Sequence, residues 1–201
     1  RETLSALPVE SLDTRPAIKA GRDLFSLLGA RQTIPIDALP SDPSTLEELG
    51  ASSEGEDALS IGCVQSLMLR LAGDHERAAE MTRRLGHLTR GVRATRPDGI
   101  AAQLPIMRVQ WGISYQLAGA LAESTTELGL AYHGGLSEGS GFVARNAAGN
   151  AAMNWAILGE PRHTEEWLAR EEAQPRGDEW LESMVKVGGL VARTLVALDR
   201  L

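Results

Sequence analysis

Three stretches of the chain, LRLAGDHERA (69–78), YQLAGALAES (115–124) and WAILGEPRHT (155–164), follow one plan. In each, an apolar run ends at a glycine, Gly73, Gly119 or Gly159, and a small or hydroxyl residue follows five places later, Ala78, Ser124 or Thr164. A glycine can close a helix in the left-handed conformation, and the residues after it begin an antiparallel partner. A small residue near the turn lets the two helices approach closely. The glycines stand 46 and 40 residues apart, which predicts a helix-hairpin repeat with variable linkers.

The same logic decides what Asp74, His75 and Glu76 do. Adjacent helical residues point about 100° apart, so the three side chains cannot converge on one ion. Asp74 stands where a carboxylate caps free N–H groups at a helix start, and Glu76 adds favourable first-turn charge. Glu160-Pro161-Arg162-His163 has the Glu-x-x-His spacing of di-iron bundles, but it straddles a proline at a helix start rather than a bundle core. HGGLSEGSGF (133–142) opens a helix as a phosphate loop would, yet it lacks the Lys-Ser/Thr pair of a nucleotide loop. It reads as a flexible joint between hairpins.

Elsewhere the periodicity is helical, with few stretches of period two. Thr14-Arg15-Pro16 followed by AIKAGRDLFSLLGA reads as a capped amphipathic helix ending near Gly29. Residues 1–30 are therefore expected to be entry helices. Residues 31–57, rich in Pro, Ser, Asp and Glu, are expected to form a long loop with one short helix at Asp42-Pro43. An array of hairpins is expected over 58–201, with helices at 58–72, 75–89, 99–118, 121–132, 142–158, 161–172 and 178–200.

Charge and cysteine usage exclude several classes. Twenty-seven acidic against 20 basic residues give a net charge of −7, and no basic face suited to duplex phosphates is visible. Direct nucleic-acid contact by this segment is therefore not expected. The single cysteine, Cys63, excludes an internal disulfide framework and a cysteine-based zinc site, which suits a reducing cytoplasm. No window of 18 apolar residues suggests a membrane span. With no nucleophile elbow, Walker loop or paired-carboxylate pattern, the chain does not read as an enzyme, and no cofactor or metal is expected in this segment.

Two helices carry more than packing demands. IMRVQWGISYQLA (106–118) has one stripe of Ile106, Val109, Ile113 and Leu117 and another of Arg108, Trp111 and Tyr115. One apolar stripe suffices for a surface helix, so the second implies inter-helix core or a groove. FVARNAAGNAAMNWAIL carries Asn146, Asn150 and Asn154 at four-residue steps. Asn is a poor helix former, so its amides are expected to make bonds, those of Asn146 and Asn150 above all. Any ligand or partner groove is accordingly placed against Arg108, Trp111, Tyr115, Arg145, Asn146 and Asn150. The arginines would serve anionic groups, and the amides hydroxyls or backbone.

FVARNAAGNAAMNWAILGEPRHTEEWLARE is similar to the helical-repeat portion of large LuxR-type transcriptional regulators that carry an ATPase module. LPVESLDTRPAIKAG resembles the Leu-Pro…Arg-Pro segment that opens the same region. The resemblance implies an all-α fold, a right-handed superhelix of stacked antiparallel hairpins of tetratricopeptide-like type. It also implies a cytoplasmic sensor region that receives a protein partner or small-molecule effector and can self-associate. ATP and DNA would be bound by flanking modules. A purely structural or oligomerisation scaffold is the alternative.

Overall fold

The computed structural model describes residues 55–89, 100–176 and 179–199. The chain divides into two compact units, Arg1–Arg93 and Ala94–Leu201. The described part of the first is a hairpin of α1 (Gly55–Leu71) and α2 (His75–Thr89). In the second, α3 (Ile100–Leu117), α4 (Leu121–Ser137), α5 (Gly141–Ile157), α6 (Pro161–Glu172) and α7 (Glu179–Leu198) follow one another. Every regular element among the described residues is an α-helix, so the described part of the chain is all-α. The expected entry helices and most of the expected loop lie outside the described residues. Residues 55–57, assigned to that loop, belong to α1.

Four turns of three residues link these helices, and all four share one hydrogen-bond bracket. Gly73, Gly119, Gly139 and Gly159 have φ of 79°, 76°, 69° and 71°, a region that costs an L side chain energy and glycine almost none. The glycine N–H donates to Arg70, Gln116, Leu136 or Ala156 at 3.0–3.2 Å. The next N–H reaches back to Leu69, Tyr115, Gly135 or Trp155 at 2.8–2.9 Å. This pair of bonds satisfies carbonyls that a helix end otherwise leaves open. Asp74 caps α2, its Oδ1 accepting from the Arg77 N–H at 3.3 Å. Five places after each glycine, Ala78, Ser124, Ala144 and Thr164 are wholly buried.

Gly139 corrects the reading of 133–142 as a flexible joint. Residues 133–137 finish α4, and only 138–140 connect it to α5. Helix α4 runs through Gly134 and Gly135 because both face close neighbours. A Cβ on Gly135 would lie 2.8 Å from the Ala144 backbone nitrogen, and one on Gly134 would lie 2.8 Å from Pro105. The turns at Gly119, Gly139 and Gly159 thus recur every twenty residues, half the hairpin period.

Helix α5 is the centre of the second unit and packs on α3, α4, α6 and α7. Its alanines, Ala144, Ala147, Ala148 and Ala151, are fully buried and join Val109, Leu128, Ala131 and Tyr132 in the core. Small side chains on so crowded a helix keep four neighbours close at core density. Against α7 the approach is closest. A Cβ on Gly188 would lie 2.7 Å from the Gly149 carbonyl carbon, so the two backbones meet with no side chain between them. In the first unit, a Cβ on Gly62 would lie 2.3 Å from the Leu85 side chain, and the Ser66 hydroxyl donates to the Ala78 carbonyl of α2 at 3.2 Å.

Candidate functional site

The six residues expected to form a groove fall into separate contacts. Trp111 of α3 has no exposed surface, and Tyr115, one turn on, is buried. Of the two readings open for that stripe, the structure places these aromatics between helices. Arg108 sits on their flank. Its guanidinium lies 5.7 Å from the Trp111 ring centroid and donates to Glu127 Oε2 on α4. The pair is largely shielded from solvent, so the arginine is already engaged in charge-assisted bonding.

Arg145, Asn146 and Asn150 lie on α5. Arg145 and Asn146 are buried, whereas Asn150 is half-buried. The Asn150 amide donates to the Asn146 carbonyl at 3.0 Å and to Asn146 Oδ1 at 2.9 Å, within its own helix. Arg145 acts electrostatically on Glu171 of α6. The structure therefore joins Arg108 with Trp111, and Asn146 with Asn150, but it does not gather the six around one opening.

The amide that bridges helices is Asn154. It is wholly buried, accepts from Gln116 Nε2 of α3 at 2.6 Å and donates to Ser124 Oγ of α4 at 2.7 Å. A further donation reaches Thr125 Oγ1 at 3.2 Å. Ser124 in turn donates to the Gly112 carbonyl of α3 at 2.7 Å, and Gln116 donates to the Asn150 carbonyl at 3.1 Å. This neutral network ties three helices together with each amide group engaged. Asn146 and Asn150, expected to bond to neighbouring helices or to line a groove, instead bond to each other through the Asn150 amide. Spacing alone could not single out Asn154, because all three asparagines share one face. The available signal was the hydroxyl pair Ser124-Thr125 directly after the Gly119 turn.

Glu171 is a second site missed in the sequence, where it reads as one of several solvated acids on α6. It is 1 % exposed and lies against Gly189, where a Cβ would be 2.2 Å from Oε2. Arg193 of α7 donates to Glu171 Oε2 at 3.0 Å and to Glu172 Oε1 at 2.9 Å. Burial raises the Glu171 pKa above its ordinary value, outweighing the pull of Arg193 and Arg145 in the other direction.

An opening of about 420 Å³ lies between the C-terminal ends of α5 and α7 and the start of α6. Ala156, Ile157, Pro161, Leu195 and Leu198 line it together with Glu160 and Asp199. Among the described residues no group of three or more His, Cys, Asp or Glu could hold a metal ion, and no helix is long and apolar enough to cross a membrane. No family model matches the chain, nor does any curated protein or solved structure.

Proposed function

We propose that the chain is the effector-sensing and protein-interaction region of a LuxR-type transcription regulator, folded as a right-handed, tetratricopeptide-like superhelix of stacked hairpins. One observation carries this reading: the identical turn bracket at Gly119, Gly139 and Gly159, recurring every twenty residues. Turns of constant length and geometry repeat the same helix-to-helix step, and repeated steps build the extended binding surfaces of helical arrays. Helices α3 and α5 contain no Asp or Glu, while α4 and α6 carry six glutamates. Half-buried Ile113, Asn150 and Met153 add apolar and amide character to the carboxylate-free pair. Such a surface suits an uncharged peptide, a partner helix or an elongated effector.

In this reading effector or partner binding shifts an equilibrium between stacking arrangements and so biases an upstream ATPase and a downstream DNA-binding module. The protein works in the cytoplasm, and neither ATP nor DNA touches this segment. The test is the open reading frame itself. A phosphate-binding loop upstream together with a helix-turn-helix downstream is the expected result; a frame holding neither overturns the regulator reading. The burial of Trp111 and Tyr115 favours a second reading, a scaffold whose aromatics only hold helices together. Sedimentation would then report concentration-dependent self-association, and no effector would shift thermal unfolding.

A further inference from the structure

We infer that the opening between α5 and α7 is a binding site for a small amphiphilic cation, an aliphatic chain bearing one ammonium head. The site is separate from Asn150 and Gln116, and its occupancy does not depend on what the chain regulates. A volume of about 420 Å³ falls within the ~300–1,000 Å³ typical of small-molecule sites. Aliphatic side chains supply much of its lining, and two of them are about half exposed: Ile157 at 49 % and Leu198 at 59 %. Covering such side chains with a hydrocarbon chain removes apolar surface from water on both partners.

The charge of the lining fixes the sign of the ligand. Among the described residues, Glu160 and Asp199 are the ionisable ones that line the opening, and both are acidic. Glu160 lies 3.7 Å from His163 Nδ1, an exposed imidazole that carries charge only when protonated. Among the described residues, neither lysine nor arginine pairs with Glu160. The lining contributed by the Gly159 turn is also fixed in advance. The Gly159 turn is bracketed by bonds from Gly159 to Ala156 at 3.1 Å and from Glu160 to Trp155 at 2.9 Å, and Pro161 locks the first φ of α6. A preformed cleft spares the ligand the cost of ordering it.

Calorimetric titration of the 201-residue chain with hexyl-, octyl- and decyltrimethylammonium, each below its micellar concentration, tests this. Affinity is expected to rise about fourfold per methylene until the opening is filled. Alkyl sulfates of equal length should bind roughly tenfold more weakly at low salt, a gap that closes as salt is added. Methyl resonances of Ile157, Leu195 and Leu198 should shift. Replacing both acids, Glu160→Gln with Asp199→Asn, should erase the preference for the cation while leaving the exposed-surface fold intact. Ala156→Trp should block binding of either amphiphile. Equal affinity for sulfate and ammonium in the parent chain, shifts confined to other methyls, or unchanged cation preference in the double variant would each overturn the assignment.

Discussion

Toward α3 and α4, α5 offers Asn154, a neutral amide whose donors and acceptor all find partners within 2.6–3.2 Å. Toward α7 it offers Gly149, and the neighbouring polar contact is a buried carboxylate, Glu171, held by Arg193. The first side gains specificity from hydrogen bonds that keep their strength across pH and salt. The second gains closeness, because bare backbones meet, but it holds a charge away from water that burial disfavours. One helix thus carries a neutral, self-satisfied interface on one flank and a tight, charge-dependent one on the other. Sensitivity to pH and ionic strength should concentrate at the α7 side.

The largest effect should come from Gly188→Ala. Its new Cβ meets Gly149 backbone at 2.7–2.8 Å, and backbone cannot swing aside as a side-chain tip can. A loss of about 3 kcal/mol in denaturant unfolding is expected; a loss under ~1 kcal/mol would show that α5 and α7 can part without penalty. Asn154→Ala comes next. It removes the donor to Ser124 Oγ and Thr125 Oγ1, whose hydroxyls keep donating to Gly112 and Leu121, and one of two acceptors from Gln116, at about 2 kcal/mol. Asn150→Ala, whose amide bonds only within its helix, should cost under ~1 kcal/mol. Equal losses in the two variants would dissolve the distinction between the asparagines.

A smaller effect is the pH dependence at Glu171. Its raised pKa means that the folded chain keeps this proton to higher pH than the unfolded chain does. The stability this group contributes is therefore fully present below the ordinary value of 4.5 and is lost as pH rises through the folded value. Glu171→Gln, which mimics the protonated acid, should gain on the parent between pH 4.5 and neutrality when melting temperatures are compared. A parent that gains on the variant over that range would mean that Arg193 and Arg145 outweigh burial. Smallest of all, Gly129→Ala in α4 meets nothing within 4 Å and should stabilise by about 0.5–1 kcal/mol through helix propensity alone.

The turns were legible because glycine is needed where φ is positive, and Gly73, Gly119 and Gly159 each interrupt an otherwise apolar helical run. Gly139 was hidden by its neighbours. Gly129, Gly134, Gly135, Gly139 and Gly141 crowd one stretch, and only tertiary contact tells the turn glycine from those that admit a neighbouring helix. The second stripe of α3 implied that this face is covered, by inter-helix core or by whatever fills a groove, and Trp111 and Tyr115 are buried. It could not say by what, since Trp111 filling a core and Trp111 lining a groove share the same spacing. For Glu171 no local pattern existed. Its burial follows from Gly188 and Gly189 drawing α7 close, a pairing seventeen residues away in sequence.

The three-residue turns also bear on how the chain acquires its structure. Each bracket is made by groups no more than five residues apart, so a turn can close before any distant segment has arrived. The most extensive helix pairings then join neighbours in the chain, α1 with α2, α3 with α4, α4 with α5 and α5 with α6, and reach one helix further for α5 with α7 and, less extensively, for α3 with α5. Loop closure over such short separations costs little entropy, and low contact order goes with fast folding. As the polypeptide leaves the ribosome, α4, α5 and α6 can each settle against the helix before it, and docking of α7 onto Gly149 is the step that must wait for the most chain.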